Sequence, residues 1–405
     1  MSETGGVDLG KALASARAEA NFSLADLSAA TFTSRGWINN VEAGRRWPQR
    51  DWIELADREL KTDGELLSVW ELAKSKRDRE AAVKGLLQKS ERESRLLAAA
   101  QPDNSDLDTM NEAVADLAVA YLSNPPEPML KQAASLREEL TRRVTVGGFR
   151  PSEISDLYLA LSRVSGVLAY AALDLGNTKI AFTHSAAAWN MADLAGDNEL
   201  RAWTRGTQSL IARFDKDYEL GRKFVDDGMR YQGPGTSEVR LLCGAAQCAA
   251  NLGDSHTAMT LLAEADRARE RSTSDSIQGL FGFSHAKQAY YSASSLMWLP
   301  DREALQIAAS SAVLAIETWA HEPPEHRSLD DEALAQVYLA TARLKLGEVE
   351  GAMDVVRTVL HLPEERRISW IVNRISDLSD LLGGDRFKNS LLAQDARDEL
   401  RSYRV

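Results

Sequence analysis

Apolar residues recur at helical spacing through the first 73 positions, and the polar breaks between them predict five short helices. The apolar face of the first helix carries Leu9, Leu13, Ala16 and Ala20. Ser23 precedes Asp26 by three residues, in the pattern of a capping box, and is expected to begin the second helix. The pattern predicts a helical domain over residues 1–73.

Caps and helix breakers delimit the next three helices of this domain. Thr33 or Ser34 can cap the third helix, and Gly44 can end it in the left-handed conformation that suits glycine. Pro48 is expected at the first position of the fourth helix, where its missing N–H costs nothing. The apolar residues of these helices are Trp37, Ile38 and Val41, then Trp52, Leu55, Ala56 and Leu60, and then Leu66, Leu67 and Trp70.

Residues 74–106 are polar, and basic residues outnumber acidic ones between Lys74 and Arg95. Their apolar positions are too sparse for a sustained heptad, so we interpret the segment as a linker helix. A cluster of Pro, Asp, Asn and Ser at 101–106 is typical of a loop and is expected to end the linker.

Residues 107–405 repeat a pattern of two helical stretches joined by a tight break. The breaks recur at intervals of about 40 residues, as in helix-pair repeats. They fall at Leu175-Gly176, Phe214-Asp215, Leu252-Gly253, Leu299-Pro300, Leu346-Gly347 and Gly383-Gly384. Small residues at Ala181, Ala258 and Ala352 follow the Leu-Gly breaks, where the two helices must approach closely. Because one helix pair cannot bury its apolar face alone, an α-solenoid with a shared core is expected.

Composition and charge narrow the class of protein. The 405 residues are 44% hydrophobic and 27% charged, which is typical of a globular protein. A net charge of −12 argues against binding of nucleic acid or anionic membranes by the chain as a whole. Cys243 and Cys248 are too few for a disulfide framework, and the first residues lack the pattern of a signal peptide. With no apolar run of spanning length, a cytoplasmic protein is expected.

Residues 9–60 resemble the helix-turn-helix domain of the XRE/Cro-repressor-like transcription regulators. In that family a hydrophobic residue, Glu-x-Gly, basic residues and a proline follow one another and close the recognition helix. The matching positions are Val41, Glu42, Gly44, Arg45, Arg46 and Pro48. The chain departs from the family at Phe32, where the turn usually has Gly, and at Leu24, where a phosphate-binding Gln is common. Phe32 is therefore expected to widen or strain the turn.

The Leu-Gly break followed by alanine is similar to the tetratricopeptide repeat, although the present repeats exceed its period of about 34 residues. The combination of the two regions resembles a group of actinobacterial regulators and, more distantly, peptide-pheromone receptor regulators. The resemblance implies an all-α fold, in which a five-helix, lambda-repressor-like helix-turn-helix domain precedes a tetratricopeptide-like α-solenoid.

The resemblance also implies a recognition helix that enters the major groove by its N-terminal residues. Arg can pair with guanine and Asn with adenine through two hydrogen bonds, and flanking arginines suit phosphates. The candidate DNA contacts are Thr33, Ser34, Arg35, Trp37, Asn39, Asn40, Arg45, Arg46 and Arg50. For Trp37, as for Trp47, packing is the favoured interpretation. DNA contacts are expected only within the basic stretches Arg35–Arg50 and Lys74–Arg95.

Motifs for catalysis or metal binding are weak. Two prolines separate His321 from His326 and prevent the helix that a zinc-hydrolase pair needs, so a loop is expected there. The adjacent carboxylates Asp330 and Asp331 are interpreted as part of a solvated helix end. We expect no metal, no cofactor and no enzymatic activity; a hydrolase, the least favoured alternative, would require bound metal.

The concave face of a solenoid offers an extended binding surface, and Asn and Gln amides can both donate to and accept from a peptide backbone. The candidate effector contacts are Arg201, Trp203, Arg205, Gln208, Arg240, Gln247, Asn251, His285, Gln288, Tyr291, Gln336 and Asn373. The expected effector is a peptide or a small molecule.

The features together favour a transcription regulator that binds double-stranded DNA as a homodimer and responds to an effector held in residues 107–405. The alternative is a helical-repeat adaptor or scaffold whose N-terminal module contacts proteins. Salt dependence separates the two hypotheses, because contacts to phosphates weaken steeply with salt.

Overall fold

The computed structural model describes residues 4–97, 107–146, 151–231, 233–275 and 277–403. It is 80% helical, and its described residues contain no strand, which confirms the all-α fold class. Contacts divide the chain into two compact units, Met1–Leu86 and Leu87–Val405. Each unit is described by itself below.

The described residues of the first unit form five helices, as predicted. They are α1 (Thr4–Glu19), α2 (Leu24–Ala30), α3 (Arg35–Glu42), α4 (Arg50–Leu60) and α5 (Glu65–Leu97), which continues beyond the unit. The capping box of Ser23 and Asp26 is present, and Ser34 caps α3 by accepting from the backbone N–H of Trp37. Gly44 follows α3 with φ of +69°, in the predicted left-handed conformation.

Two predicted helix boundaries are wrong. Helix α4 begins at Arg50 rather than at Pro48, with Gln49 as its N-cap. Pro48 is instead buried, and its carbonyl oxygen accepts a hydrogen bond from Trp70 Nε1 at 3.1 Å. The fifth helix does not stop near residue 73 but runs unbroken to Leu97, because this polar stretch contains neither Pro nor a helix-ending cap. The loop predicted at 101–106 lies outside the described residues.

The core of the first unit forms where the apolar faces of its helices meet. Buried members are Leu9, Leu13, Leu27, Ile38, Val41, Trp52, Ile53, Ala56, Leu60, Leu66 and Trp70. At the crossing of α1 and α3, Gly10 allows the two backbones to touch: a Cβ at this position would lie 2.3 Å from the carbonyl oxygen of Glu42 and 2.6 Å from that of Val41. Gly10 therefore fixes how closely the third helix approaches the first.

Asp57 joins α4 to the start of α5. Its carboxylate accepts hydrogen bonds from the backbone N–H groups of Gly64, Leu66 and Leu67 at 2.9, 3.1 and 3.3 Å, and from the Thr62 hydroxyl at 2.6 Å. Burial opposes ionisation of Asp57, but these hydrogen bonds outweigh it and hold its pKa below the ordinary value. The carboxylate thus satisfies N–H groups that the first turn of a helix leaves unpaired.

The second unit is a series of helix pairs. Its further helices are α6 (Leu107–Ala120), α7 (Pro126–Val146), α8 (Pro151–Asp174), α9 (Thr178–Ala195), α10 (Asn198–Phe214), α11 (Tyr218–Gly228), α12 (Ser237–Asn251), α13 (Ser255–Arg271), α14 (His285–Leu296), α15 (Arg302–His321), α16 (Leu329–Leu346), α17 (Val349–Leu360), α18 (Ser369–Leu382) and α19 (Leu391–Arg401). Every predicted break separates the two helices of a pair, and Ala181, Ala258 and Ala352 are buried.

The first helices of successive pairs form an inner row. Helices α8, α10, α12, α14, α16 and α18 contact one another in this order, and α18 also contacts α8. A hydrogen bond from Ser369 Oγ to the carbonyl oxygen of Leu173, at 2.8 Å, joins the two ends of the row. The residues after α6 reach the same region, where Tyr121 donates to Asp174 at 2.5 Å. The inner row thus closes on itself rather than leaving a long open groove.

The last turns of α5 are tied to α7 and α9 by a buried polar cluster within the second unit. Arg137 is fully buried and donates to the carbonyl oxygen of Ser90 and to the hydroxyl of Ser94. Burial lowers the pKa of Arg137 to about 10, although Glu93, 3.3 Å away, partly offsets this. Burial and the neighbouring Arg137 lower the pKa of His184 well below its usual value, so its ring is neutral at neutral pH.

One described helix is long and apolar enough to cross a membrane by composition alone. It is the stretch Glu153–Asp174 of α8, and 78% of its apolar window is buried inside the protein. The core helix of a globular protein passes the same test, so this stretch is weak evidence for a membrane span.

We expect Gly10→Ala to destabilise the first unit by about 1–3 kcal/mol, because the added methyl group overlaps the backbone of α3. Hydrogen exchange measured by mass spectrometry on peptides from α1 and α3 should show the loss of protection. Gly36→Ala is the matched control, since a Cβ at Gly36 meets nothing within 4 Å. Equal loss in both variants would contradict the close approach of α1 and α3.

We expect acid to weaken the start of α5 through Asp57. Because its pKa is lowered on folding, its contribution is present above the unfolded value of about 3.9 and is lost as pH falls through the folded value. Hydrogen exchange of peptides covering 64–70, corrected for the intrinsic rate at each pH, should show this loss. Asp57→Asn should flatten the dependence, and an unchanged profile in that variant would contradict the assignment.

Candidate nucleic-acid interface

The N-terminal part of α3 presents polar side chains to solvent. Arg35 and Asn39 are exposed, and Asn40 is half-buried. No side-chain hydrogen bond or ion pair of these three residues is found within the part of the chain that the structure describes. These side chains can therefore bind base edges in a major groove without first breaking hydrogen bonds within the protein.

Two arginines follow α3 in a backbone turn. The N–H groups of Arg45 and Arg46 both donate to the carbonyl oxygen of Asn40, at 2.8 and 3.1 Å, so the turn is closed onto the helix end. Both side chains are exposed and, among the described residues, have no acidic partner. This places two uncompensated positive charges directly beside α3, as phosphate contacts require.

Other candidate DNA contacts have partners inside the first unit. Thr33 Oγ1 accepts a hydrogen bond from Trp52 Nε1 at 3.2 Å, and Trp37 packs edge-on against Trp52 with ring centroids 4.6 Å apart. Arg50 forms ion pairs with Glu54 at 2.8 Å and Glu71 at 3.1 Å. The Ser34 side chain is occupied as the cap of α3. Contact of these four residues with DNA stays a prediction.

The second predicted tryptophan also packs. Trp47 lies against the core of the first unit, with its ring centroid 6.2 Å from that of Trp70 and the guanidinium of Arg77 4.9 Å away. The packing interpretation of Trp37 and Trp47 is therefore the one that the geometry favours.

A double hydrogen bond between Arg17 and Glu42 holds the end of α3 against α1. Arg17 Nε and Nη2 donate to the two carboxylate oxygens of Glu42 at 2.6 and 3.0 Å, and Nη1 donates to the carbonyl oxygen of Phe22 at 2.9 Å. The hydrogen bonds to Glu42 raise the pKa of Arg17 against the opposing effect of burial. Sequence reasoning identified Glu42 only as a motif residue and missed Arg17.

Phe32 occupies the turn between α2 and α3 in an unusual conformation. Its φ is +53°, in the left-handed region, and its side chain is 91% exposed. For a residue with a Cβ this conformation costs about 1–2 kcal/mol. Neighbouring hydrogen bonds hold the turn, since Thr31 Oγ1 donates to the carbonyl oxygen of Leu27 and the Thr33 N–H donates to that of Ser28. The turn is thus strained, as the departure from the family predicts.

The candidate effector contacts of the second unit were expected on an exposed concave face, but many of them are buried or half-buried. Buried members are Trp203, Gln208, Arg240, Gln247, Gln288 and Tyr291. Half-buried members are Arg201, Arg205, Asn251 and Gln336, and the exposed ones are His285 and Asn373. The expectation that these side chains form an exposed binding surface is wrong for the six buried residues, because closure of the inner row removes them from solvent.

Several of these side chains connect neighbouring helices. Arg205 donates to Asp227 at 2.6 Å and lies 3.5 Å from the ring centroid of Trp189. Gln288 donates to Asp266 at 2.7 Å. Such contacts between helices are structural, and effector binding by these residues stays a prediction.

Three candidates meet at one cavity inside the inner row. Arg240, Gln247 and Tyr291 line a cavity of about 80 Å³, which the other nine candidates do not line. The cavity also has charged lining residues that the sequence analysis did not select: Asp174, Lys287, Asp330 and Asp331. The interpretation of Asp330 and Asp331 as a solvated helix end is wrong, because α16 starts at the wall of this cavity.

The two histidines flank the connection between α15 and α16, where a loop is predicted. Helix α15 ends at His321, and a short turn at Pro324–His326 follows it. Within the described residues, no group of three or more His, Cys, Asp or Glu side chains is arranged to hold a metal ion.

Comparison with known proteins bears on the first unit only. A family model described as a helix-turn-helix domain matches residues 8–70, so the chain carries an XRE-like helix-turn-helix domain at its N-terminus. No curated protein matches the chain. The matched residues include every helix that shapes the surface around α3.

We expect Glu42→Gln to reduce the stability of the first unit by about 1–3 kcal/mol, because it leaves the half-buried Arg17 without its charged partner. Hydrogen exchange of peptides from α1 and α3 should report the loss. Glu54→Gln is the matched control, since it removes an exposed pair with Arg50 whose contribution is at most about 1 kcal/mol. If Glu54→Gln reduces stability as much as Glu42→Gln, the hydrogen bonds between Arg17 and Glu42 do not specifically stabilise the packing of α3 against α1.

Proposed function

We propose that this protein is a sequence-specific DNA-binding transcription regulator. The observation that carries the proposal is the free polar surface of Arg35, Asn39, Arg45 and Arg46, within residues that match a helix-turn-helix family model. Arg35 and Asn39 lie on successive turns of α3, so both can reach base edges in one major groove. Arg45 and Arg46 contact the flanking phosphates.

The acidic character of the chain sharpens this assignment. With a net charge of −12, most of the chain repels the DNA backbone, and the basic stretches Arg35–Arg50 and Lys74–Arg95 are the local exceptions. Specific binding then depends on correct placement of α3, and non-specific binding is weak.

The protein acts as a homodimer in this proposal, because one small domain reads too few base pairs and a dimer reads two half-sites at a fixed spacing. The second unit is a tetratricopeptide-like sensor domain, and its cavity holds an effector that controls DNA binding by favouring one conformation of the helical repeat. The protein functions in the cytoplasm, without catalytic activity and without a metal.

The test is selection of DNA from a random duplex pool by the full-length protein, followed by binding measurements on the enriched sequence. Arg35→Ala and Asn39→Ala should each reduce affinity for that sequence about 5–150-fold, the loss expected for one bidentate base contact. Arg45→Ala and Arg46→Ala should weaken binding to all duplexes and lower the slope of log affinity against log salt by about one each.

Arg58→Ala is the matched control, because Arg58 is an exposed arginine of the same unit that lies outside α3 and its following turn. Its affinity should remain within about twofold of the unchanged protein. Failure to enrich any sequence, or binding that does not depend on salt, would contradict the proposal and favour the adaptor function.

A further inference from the structure

The cavity at the centre of the second unit is built from its six inner helices and from the turn after α6. Its walls include tyrosine rings from different elements: Tyr121, Tyr170, Tyr290, Tyr291 and Tyr338. The cavity has a volume of about 80 Å³. Sites for drug-sized ligands have about 300–1,000 Å³, so this cavity is too confined for a long peptide and has room only for a very small ligand. A compact occupant therefore suits it better than the extended one predicted for a concave face.

A cation in this cavity has no anionic partner. Lys287 Nζ has only one hydrogen bond among the described residues, a long one of 3.5 Å to the carbonyl oxygen of Gly282. None of the described carboxylates lies within 4 Å of it. Burial lowers the pKa of Lys287 although Asp331 acts against this. The side chain is half-buried, and a partly desolvated ammonium group without a counter-charge within 4 Å is a favourable partner for a ligand carboxylate.

Carboxylates in the same cavity lack cationic partners. Asp174 is buried and accepts only from the Tyr121 hydroxyl, at 2.5 Å, while Asp331 accepts from Ser328 Oγ at 2.7 Å. Neither forms an ion pair within the described residues, whereas neighbouring Asp330 is paired with Arg366 at 3.0 Å. Burial raises the pKa of Asp174 well above its ordinary value, and the like charges of Asp330 and Asp331 add to this. The neutral acid is therefore favoured until a cation lies beside it, and such a cation would lower the pKa again.

The cavity thus holds a positive and a negative group that the protein itself does not pair. We propose that it binds a small zwitterion of the amino-acid class, either a free amino acid or a dipeptide. The carboxylate of the ligand accepts from Lys287, and its ammonium group donates to Asp174 and Asp331. A ligand with one charge would satisfy one side and leave the other unpaired, which makes the zwitterion the best complement.

The tyrosine rings and neutral amides complete the site. Aromatic faces attract an ammonium group and cover the apolar part of a ligand. Gln247 donates to Ser294 at 3.1 Å and keeps its carbonyl oxygen as an acceptor. Arg240 is committed to the carbonyl oxygen of Trp203 at 2.6 Å and the Tyr170 hydroxyl at 2.7 Å, so it forms part of the wall rather than the principal anion contact.

A wider cleft adjoins this cavity. The cleft is lined from α13 to α15 and shares Leu122, Gly282, Phe283, Lys287 and Ser328 with the cavity. Lys287 stands at the junction of the two spaces and is only half-buried. A ligand entering through the cleft meets this ammonium group first.

The inference deepens the proposed function, since it names the effector class of the proposed sensor domain. The experiment screens the standard L-amino acids and their dipeptides with glycine against the full-length protein at millimolar concentration. We expect at least one member to raise Tm by binding the folded state, and calorimetry then gives its Kd. For that hit, the amine lacking the carboxylate and the acid lacking the amine should each bind about tenfold more weakly or worse.

Variants assign the two charges to their residues. Lys287→Met keeps most of the side-chain volume, and Asp174→Asn keeps an acceptor for Tyr121; each should raise the Kd of the hit about tenfold or more. Lys345→Met is the matched control, because Lys345 is a half-buried lysine outside the cavity that donates to the carbonyl oxygen of Met297 at 2.7 Å. It should leave the Kd within about twofold. Melting curves without ligand establish that each variant is folded.

The inference is overturned if no member of the panel raises Tm, if a one-charge analogue binds as tightly as the hit, or if Lys287→Met and Asp174→Asn both leave its Kd unchanged. DNA affinity of the same samples separates this failure from that of the proposed function. Intact DNA binding with a negative panel contradicts only the zwitterion site. A zwitterion that binds the cavity without changing DNA affinity supports the site and contradicts ligand control of DNA binding.

Discussion

The close approach of the inner helices is the constraint on which the second unit depends. Small residues allow it: a Cβ at Gly206 of α10 would lie 2.8 Å from Nη1 of Arg240 on α12. Ala181, Ala258 and Ala352 are buried at the starts of the second helices of their pairs, which pack against the inner row. Because the helices pack this tightly and the row closes between α18 and α8, polar side chains that a looser solenoid would expose are enclosed at its centre. Enclosure makes the unpaired charges of the cavity energetically significant, since the same groups on an open concave face would be solvated.

In the first unit, the contacts of the core hold α3 in place on one side and leave its other side exposed to solvent. Gly10 brings α1 into contact with the last residues of α3, and the double hydrogen bond from Arg17 to Glu42 secures the same end. Trp52 packs beside the start of the helix and donates to Thr33. All these contacts lie on one side of α3, so its exposed polar residues are positioned by the core without taking part in it. This arrangement pre-organises a surface for a ligand at little additional entropic cost.

The sequence predicted what local chemistry determines and missed what depends on distant contacts. The Ser23 capping box, the left-handed Gly44 and every break between paired helices were predictable, because each is set by a few adjacent residues. Pro48 was misplaced because its carbonyl oxygen is used by Trp70, which lies 22 positions later. Asp330 and Asp331 resemble any acidic helix start, and only closure of the inner row turns that start toward a cavity. Arg17 could have been suspected, since a Glu in an otherwise apolar motif needs a cation, but its position required the fold.

The two ends of α5 are held by different polar contacts, one set in each unit. The helix runs from Glu65 to Leu97, and its last turns are fixed by buried hydrogen bonds from Arg137 to Ser90 and Ser94. A buried guanidinium bound to a helix backbone tolerates little displacement, because any shift leaves a desolvated charge unsatisfied. Movement of α7 or α9 therefore has to carry the end of α5 with it. Within the first unit, Asp57 satisfies N–H groups in the first turn of the same helix and ties that turn to α4, so each end of α5 is fixed by polar contacts inside its own unit.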